Sequence, residues 1–285
     1  MEQSEKNKVE KSTLYLVGTP IGNLADMTER AKKVLAEVDF IAAEDTRNSM
    51  KLLSCFGIHA ELVSYHEHNR RESGERIVAR LLAGESCAII TDAGMPAISD
   101  PGEDLVRLCS DAGVTVRVVP GPSASVSALA LSGLPTAKFV FEGFLSAQKN
   151  ERRKRLAALK NEERTMIFYE APHKLRATLD DMLEAFGADR KIALCRELTK
   201  LNEDTERTTL EGAIKTYKER EPRGEYVLVI EGGTMNESGD NPLLSLSPEE
   251  HTAHYEKLGM KRMDAIKSAA KDRGMSKSDF YKLLV

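Results

Sequence analysis

Short apolar runs alternate with amphipathic stretches through the first half of the chain. "STLYLVG", "VDFIAA", "AELVSY", "SCAIIT" and "VTVRVV" bunch their apolar residues as strands do. Between them "MTERAKKVLAE", "ERIVARLLAG" and "GEDLVRLCSDAG" repeat apolar positions at helical spacing, the latter two closing on Gly. This alternation predicts an α/β domain over residues 12–135, built on a mostly parallel sheet.

A second series follows "LSGLPTAK", whose breakers and lack of period mark a domain junction. "FVFEGF", "TMIFYE", "KIALCREL", "TERTTLEG" and "EYVLVIEGG" predict strands, with helices near 148–162, 172–186 and 211–219. The strands near 190–198 and 204–210 are separated by a short polar piece that suits an antiparallel pair. The second α/β domain, 136–234, is therefore expected to hold a mixed sheet. The polar "TMNESGDNPLLSLSPEE" predicts a linker over 235–247. Ser247-Pro248-Glu249-Glu250 then offers an N-cap, a Pro at the first helical position and acids in the first turn, opening a helical extension over 248–285. Its helix–Gly-Met-Ser–helix spacing with several Lys and Arg reads two ways: an RNA-contacting helix-turn-helix-like module, or a solvated helix pair.

At 285 residues and 41% apolar, the chain is long enough for one large or two medium cores. A net charge of −4 gives no whole-chain signature of nucleic-acid binding, so an RNA or DNA partner must be met by a local basic patch. Cys55, Cys87, Cys109 and Cys195 form no CxxC pair and are expected to be buried free thiols in a reducing cytosol. Residues 1–11 are charged throughout and predict a disordered tail rather than a signal peptide. No apolar run approaches the roughly 20 residues of a membrane span. A soluble, cytoplasmic protein is the expectation.

Four turns follow predicted strands, where ligands collect in open α/β sheets. Gly18-Thr19-Pro20-Ile21-Gly22-Asn23 lacks both the GK[ST] of a Walker loop and a GxGxxG fingerprint, which argues against phosphate cradling. In "TDAGMPAISDPG", Thr91–Gly102, Gly94 permits close approach of a ligand while Pro96 and Pro101 stiffen the loop. Pro120-Gly121-Pro122 ends a strand, with Ser123 and Ser125 placed to cap a small-residue helix. "FEGFL", Phe141–Leu145, sets Gly143 between aromatics. Main-chain amides, hydroxyls and scattered acids without a lysine clamp suit S-adenosylmethionine better than ATP or NAD.

Charged motifs supply the remaining candidates. In "AAEDTRNS", either Asp45 or Thr46 caps a helix while Arg47 pairs with an acid, or Glu44, Asp45 and Arg47 face a substrate; spacing leaves both open. "YHEHNRRES" sets His66 and His68 beside Arg70 and Arg71 with no third metal ligand at suitable spacing, favouring a cationic loop for phosphates over a metal site. "QKNERRKRLAALK" carries the densest positive run, Lys149, Arg152, Arg153, Lys154 and Arg155. Such a run is usually a solvated helix face, but its position after "FEGFL" also suits phosphate-backbone contact. "FYEAPHKL" and "CRELTK" bring Glu170, His173, Lys174, Arg196, Glu197 and Lys200 to strand ends, where they could line the same cleft.

Taken in order, "LVGTPIGNLADMT", "AAEDTR", "TDAGMPAISDPG", "PGPSA", "FEGFL", "FYEAPHKL" and "CRELTK" resemble the tetrapyrrole methylase (class III methyltransferase) family, and within it members that modify ribosomal RNA, over roughly Leu14 to Gly232. The resemblance implies two α/β domains with S-adenosylmethionine between them, and a homodimer. It also implies methylation of a ribose 2′-hydroxyl on a cytidine in the decoding region of 16S rRNA, with the small ribosomal subunit as partner. By the same resemblance the cofactor contacts Pro20, Gly22, Asp92, Gly94, Met95, Ile98, Ser123, Ala124, Phe144, Leu145, Tyr169 and the stretch Arg223-Gly224-Glu225. Where other members often show an acidic Gly-Asp-Pro, this chain reads Gly94-Met95-Pro96, so a carboxylate role in that loop falls to Asp92 or Asp100. A 2′-hydroxyl is a weak acid whose proton needs an acceptor; Glu44, Asp45 and Asp100 are the candidates. The alternative within this fold is a small-molecule methyltransferase for a corrinoid-type ring, which predicts an apolar, ring-sized cleft and no basic run at 149–155.

Overall fold

The computed structural model describes residues 8–233 and 242–284. These fall into two compact units, Met1–Gly232 and Gly233–Val285. In the first, β1 (Thr13–Val17), β2 (Phe40–Ala43), β3 (Glu61–Ser64), β4 (Cys87–Ile90) and β5 (Thr115–Val119) form a wholly parallel sheet in the order β3-β2-β4-β1-β5. Helices α1 (Glu29–Glu37), α2 (Thr46–Cys55), α3 (Arg70–Leu82) and α4 (Gly102–Asp111) make the crossovers. The strand pleat sends neighbours to opposite faces. Ile41 and Ile90 join the core around Leu35, while Phe40 and Ile89 join the one around Leu81. Central β2 and β4 are buried along their whole length, as strands covered on both faces must be.

The strand order matters for function. From β1 the chain crosses β4 to reach β2, whereas from β4 it crosses β1 to reach β5. Connections thus diverge between β1 and β4, and a crevice opens at their carboxyl ends.

Helix α5 (Ala124–Ser132) leaves β5 but packs on a second sheet, where Ala128 and Leu129 meet Ile167, Ala193, Cys195 and Val229. That sheet comprises β6 (Phe139–Phe144), β7 (Thr165–Glu170), β8 (Lys191–Arg196), β9 (Asp204–Thr209) and β10 (Tyr226–Ile230) in the order β6-β7-β10-β8-β9. Only β6 and β7 are parallel; β7–β10, β10–β8 and β8–β9 are antiparallel, giving the expected mixed sheet. Its other face carries α6 (Lys149–Ala158), α7 (Leu175–Phe186) and α8 (Leu210–Glu219) over a core that includes Leu156, Leu179 and Leu210. The α/β class and both sheet types agree with the sequence reading.

Three expectations are corrected. Helix α3 starts at Arg70 rather than near residue 75, because the small residues Ser73 and Gly74 belong to its buried face. A Cβ on Gly74 would lie 2.6 Å from Leu108 Cδ1, so the glycine permits α3 to approach α4. Of the expected tail, residues 1–7 lie outside the described residues. Beyond them Val9 packs on the core, Glu10 pairs with Arg117 and Lys11 with Asp39. Cys55 is exposed, whereas Cys87, Cys109 and Cys195 are buried as expected and their thiols are pushed up by desolvation.

In the second unit, α9 (Pro248–Lys257) opens on a reciprocal cap: Ser247 Oγ accepts from the Glu250 amide and the Glu250 carboxylate accepts from the Ser247 amide. Helices α10 (Arg262–Asp272) and α11 (Lys277–Tyr281) follow, with Ile266, Ala269, Ala270 and Phe280 in the core. Buried His251 sits between Arg273 Nε, 3.1 Å from its Nδ1, and Asp272 Oδ2, 3.1 Å from its Nε2. Most of the expected linker, residues 235–241, lies outside the described residues; Pro242–Ser245 form a short 3-10 turn. Among the described residues no helix is long and apolar enough to cross a membrane.

Candidate functional site

The turn after β1 is locked to the loop after β4. Thr19 and Gly94 exchange two backbone hydrogen bonds, 3.0 and 3.2 Å, and Thr19 Oγ1 donates to the Thr91 carbonyl at 3.1 Å. Gly18 packs on Gly121 of the turn after β5, since a Cβ on Gly18 would stand 2.7 Å from Gly121 Cα. Gly94 itself sits at φ +86°, a region that suits glycine. Three of the four glycine-bearing turns are therefore one assembly around the carboxyl ends of β1, β4 and β5.

Downstream, the same loop is held by Asp100. Its Oδ1 accepts from the amides of Ala97 (3.0 Å) and Gly102 (2.8 Å), and its Oδ2 from that of Ile98 (3.2 Å). These bonds support left-handed backbone at Ala97 and Ser99, φ +67° and +63°. The fourth turn meets this segment: Gly143, at φ +64° in a bulge of β6, would place a Cβ 2.9 Å from Ser99 Oγ.

The second sheet supplies the facing wall. Tyr169, Val227 and Cys195 are register partners on β7, β10 and β8, so their side chains stand in one row. Tyr169 lies edge-to-face with Phe141 (5.0 Å) and Phe144 (5.4 Å). Buried Glu170 accepts from Thr178 Oγ1 at 2.6 Å and from the Ala171 amide at 2.8 Å, fixing the turn that carries His173. Beyond β8, Glu197 and Thr199 adopt φ +51° and +66°, and Lys200 bridges Glu197 and Glu225 at 2.9 Å each. The bonded Lys200 ammonium holds Glu197 below the usual carboxylate range.

Between these walls lies a cleft of about 540 Å3. Gly94, Met95, Ile98, Ser123, Ala124, Phe144 and Tyr169 line it, together with Glu44 and Asp100. A second pocket of about 340 Å3 shares Ile21, Thr91, Ala93 and Glu225 with the cleft and contains Pro20, Gly22 and Asp92. Leu145 is buried in the core of the second sheet. Sequence reasoning missed the apolar floor, Ile21, Cys195, Leu198 and Val227, which depends on strand register and on α5 crossing between sheets.

Other candidates are spread apart. The carboxylate of Asp45 caps α2, accepting from the amides of Arg47 (2.8 Å) and Asn48 (3.4 Å); the former bond holds its pKa down. Arg47 pairs loosely back to Asp45 at 3.4 Å. Arg70 pairs with Asp104 at 2.6 Å, and Arg71 with Glu75 at 3.7 Å.

The basic run divides sharply. Arg152 is buried against Asp181 at 2.6 Å, and Arg153 reaches the same carboxylate at 2.7 Å. Burial would raise the Asp181 carboxyl, but the two guanidiniums hold it below its ordinary value. Arg155 forms a two-bond pair with Glu142. Lys149 and Lys154 alone in this run are exposed without an ion pair to a described residue. Arg152, Arg153 and Arg155 are thus held in ion pairs within the fold, which leaves Lys149 and Lys154 as the cations of this run open to phosphate contact.

What the cleft can hold follows from its lining. Its lining includes Glu44, the amide-bonded Asp100 and the Lys200-paired Glu225, and no Lys or Arg, while the carboxylate of Glu170 is turned away to Thr178. That charge suits a cationic ligand and disfavours a di- or triphosphate. Apolar Ile21, Met95 and Val227 with Tyr169 and Phe144 suit a flat ring system, and Gly94 brings main chain to the surface. The residues fit a sulfonium-bearing nucleoside.

The fold and cleft define a methyltransferase: the profile of tetrapyrrole (corrin/porphyrin) methylases matches residues 13–214, and the chain belongs to that family. It is 49% identical to the ribosomal RNA small subunit methyltransferase I of Halalkalibacterium halodurans, covering 99% of this chain and 98% of the relative. It is 45% identical to the protein of that name from Bacillus subtilis, covering 98% and 96%, respectively. Among solved structures, uroporphyrin-III-C-methyltransferase from Thermus thermophilus has the same fold at TM-score 0.55 and 21% identity, covering 77% of this chain and 94% of that one. Diphthine synthase does so at TM-score 0.58 and 15% identity, covering 77% and 90%.

Proposed function

We propose that this protein methylates the ribose 2′-hydroxyl of a cytidine in the decoding region of 16S rRNA, using S-adenosylmethionine, as a cytoplasmic homodimer. The observation that carries the donor assignment is a cleft lining that holds Glu44 and no Lys or Arg. The acceptor assignment is supported by near-full-length relatives named for ribosomal RNA methylation.

Gly94, Met95, Ile98, Ser123, Ala124 and Tyr169 would hold the donor. When bound, it supplies an electrophilic methyl group. The chain's own task is mainly alignment, because an in-line displacement needs the acceptor oxygen held behind the reacting carbon. Interlocking of the β1, β4 and β5 turns gives that alignment a rigid base. Asp100 keeps the loop in shape with three amide bonds, while Asp45 is engaged in a helix cap. Glu44 lies in the cleft at the end of β2, where its carboxylate accepts from the Thr91 hydroxyl at 3.1 Å. We assign it as the group that accepts the 2′-hydroxyl proton.

The test incubates the full chain with methyl-labelled S-adenosylmethionine and one of three acceptors: small ribosomal subunits, naked 16S rRNA or a corrinoid-type ring. Label on a ribose of the RNA supports the reading. Label only on the ring establishes the small-molecule alternative.

A further inference from the structure

The second pocket has no role in the account above, yet it adjoins the place where the acceptor must enter. The acceptor nucleotide has to occupy space continuous with the donor cleft, and this pocket shares four lining residues with it. At about 340 Å3 it lies near the ~300 Å3 floor of small-molecule sites, a size for a nucleoside rather than a corrinoid ring. Resting on the proposed function and specifying its acceptor, we infer that this pocket seats the target base and reads it as cytosine through Asp92 and Asn48.

The argument is the polarity of one edge. Asn48 Nδ2 donates to Asp92 Oδ2 at 3.1 Å, which sets the orientation of the amide. The pair is left with two acceptors, Asn48 Oδ1 and the other, charged Asp92 oxygen, beside the second Asn48 N–H. Cytosine carries an amino donor at N4, where uracil carries the O4 acceptor, so the charged Asp92 oxygen binds one and repels the other. Lys200 Nζ is a charged donor in the lining for cytosine O2 or N3, held ready by Glu197 and Glu225. Pro20, Ile21, Leu24 and Leu52 supply apolar surface for the faces of the ring. Asp92 and Glu225 make the pocket unsuited to a phosphate. A base lifted out of its stack and read on its pairing edge is the general solution for enzymes acting on one nucleotide.

The sequence resemblance had placed Asp92 on the cofactor, and the experiment separates the two roles. Full-length chains with Asp92 intact, with Asp92→Asn and with Asp92→Ala are compared on small subunits carrying C or U at the modified position. Their S-adenosylmethionine Kd is measured by calorimetry. The unsubstituted chain is expected to favour C by about tenfold or more, and Asp92→Asn to shrink that ratio about tenfold, the scale of one base contact. Cofactor Kd should stay within about twofold, because the pocket, not the cleft, contains Asp92. Cytidine monophosphate, but not uridine monophosphate, should shift the Asn48 side-chain amide in NMR spectra. An unchanged C/U ratio, or cofactor binding weakened about tenfold, overturns the inference while leaving RNA methylation standing. Absence of RNA label from the unsubstituted chain overturns the proposed function and this inference together.

Discussion

Gly18 and Gly121 meet where the turns after β1 and β5 touch, each filling the space where the other's Cβ would stand: 2.7 Å from Gly18's Cβ position to Gly121 Cα, and 2.9 Å in reverse. Apart from Met95 Sδ, 2.8 Å from the Gly18 position, the obstructing atoms are backbone, so no side-chain rotation relieves the overlap between the two turns. Gly18→Ala or Gly121→Ala should destabilise the fold by about 1–3 kcal/mol, the usual cost of overpacking. Because both turns flank the cleft, cofactor affinity should fall as well. Urea unfolding and calorimetric titration check the two effects; unchanged midpoint and Kd would show that the contact is loose.

The two kinds of cation in α6 should separate in experiment. Removing Asp181 leaves Arg152 as an uncompensated buried charge, so Asp181→Ala should cost about 3–5 kcal/mol in denaturant unfolding. Lys149→Ala and Lys154→Ala should leave stability within about 0.5 kcal/mol. If the helix meets RNA phosphates, each should weaken binding to small subunits and reduce the log–log salt slope by about one. An unaltered salt slope removes these lysines from the RNA interface.

That division shows where sequence reasoning stops. Strands and most helices were readable because their apolar spacing is local, and the cleft loops because Gly/Pro turns follow strands. Arg152 and Lys154 look alike in the sequence, however, since Asp181, the partner that buries one of them, lies 29 residues away on another helix. Tyr169, Val227 and Cys195 form a row only through antiparallel register. The early start of α3 escaped because its first buried positions are Ser73 and Gly74, which carry no hydrophobic signal. What was hidden is long-range pairing.

Acid should loosen the edge where the chain enters the fold. Asp39 accepts from Lys11 Nζ at 2.6 and 2.9 Å and from the Ser86 amide and hydroxyl at 2.6 Å each, and these bonds lower its pKa from 3.8 to about 2. A depressed folded-state value stabilises the protein above the unfolded pKa. That contribution is lost as pH falls through the window from 3.8 to about 2. Solvent screening limits the effect to about 1 kcal/mol. Asp39→Asn should therefore be less stable than the unsubstituted chain at neutral pH, and the difference should vanish near pH 2. Paired urea titrations across that range provide the check. A constant difference would mean that charge is not its origin.

The three acidic candidates for proton acceptance are predicted to fail in three different ways. Glu44 is exposed in the cleft, bonded to Thr91 and well placed to take a proton. Glu44→Gln preserves size and an accepting oxygen but cannot accept a proton; kcat should drop by about 10²–10⁴ with cofactor Kd nearly unchanged. Asp45 spends its carboxylate on the α2 cap. Asp45→Ala should retain turnover per folded molecule and unfold at a lower urea midpoint, because the α2 cap is lost. Asp100 shapes the loop that lines the donor cleft, so Asp100→Ala should weaken cofactor binding before it affects the chemical step. Single-turnover kinetics, calorimetry and unfolding on the same three proteins distinguish these outcomes. Full activity in Glu44→Gln would shift proton removal to solvent or to the RNA itself, leaving alignment as the protein's main contribution to rate.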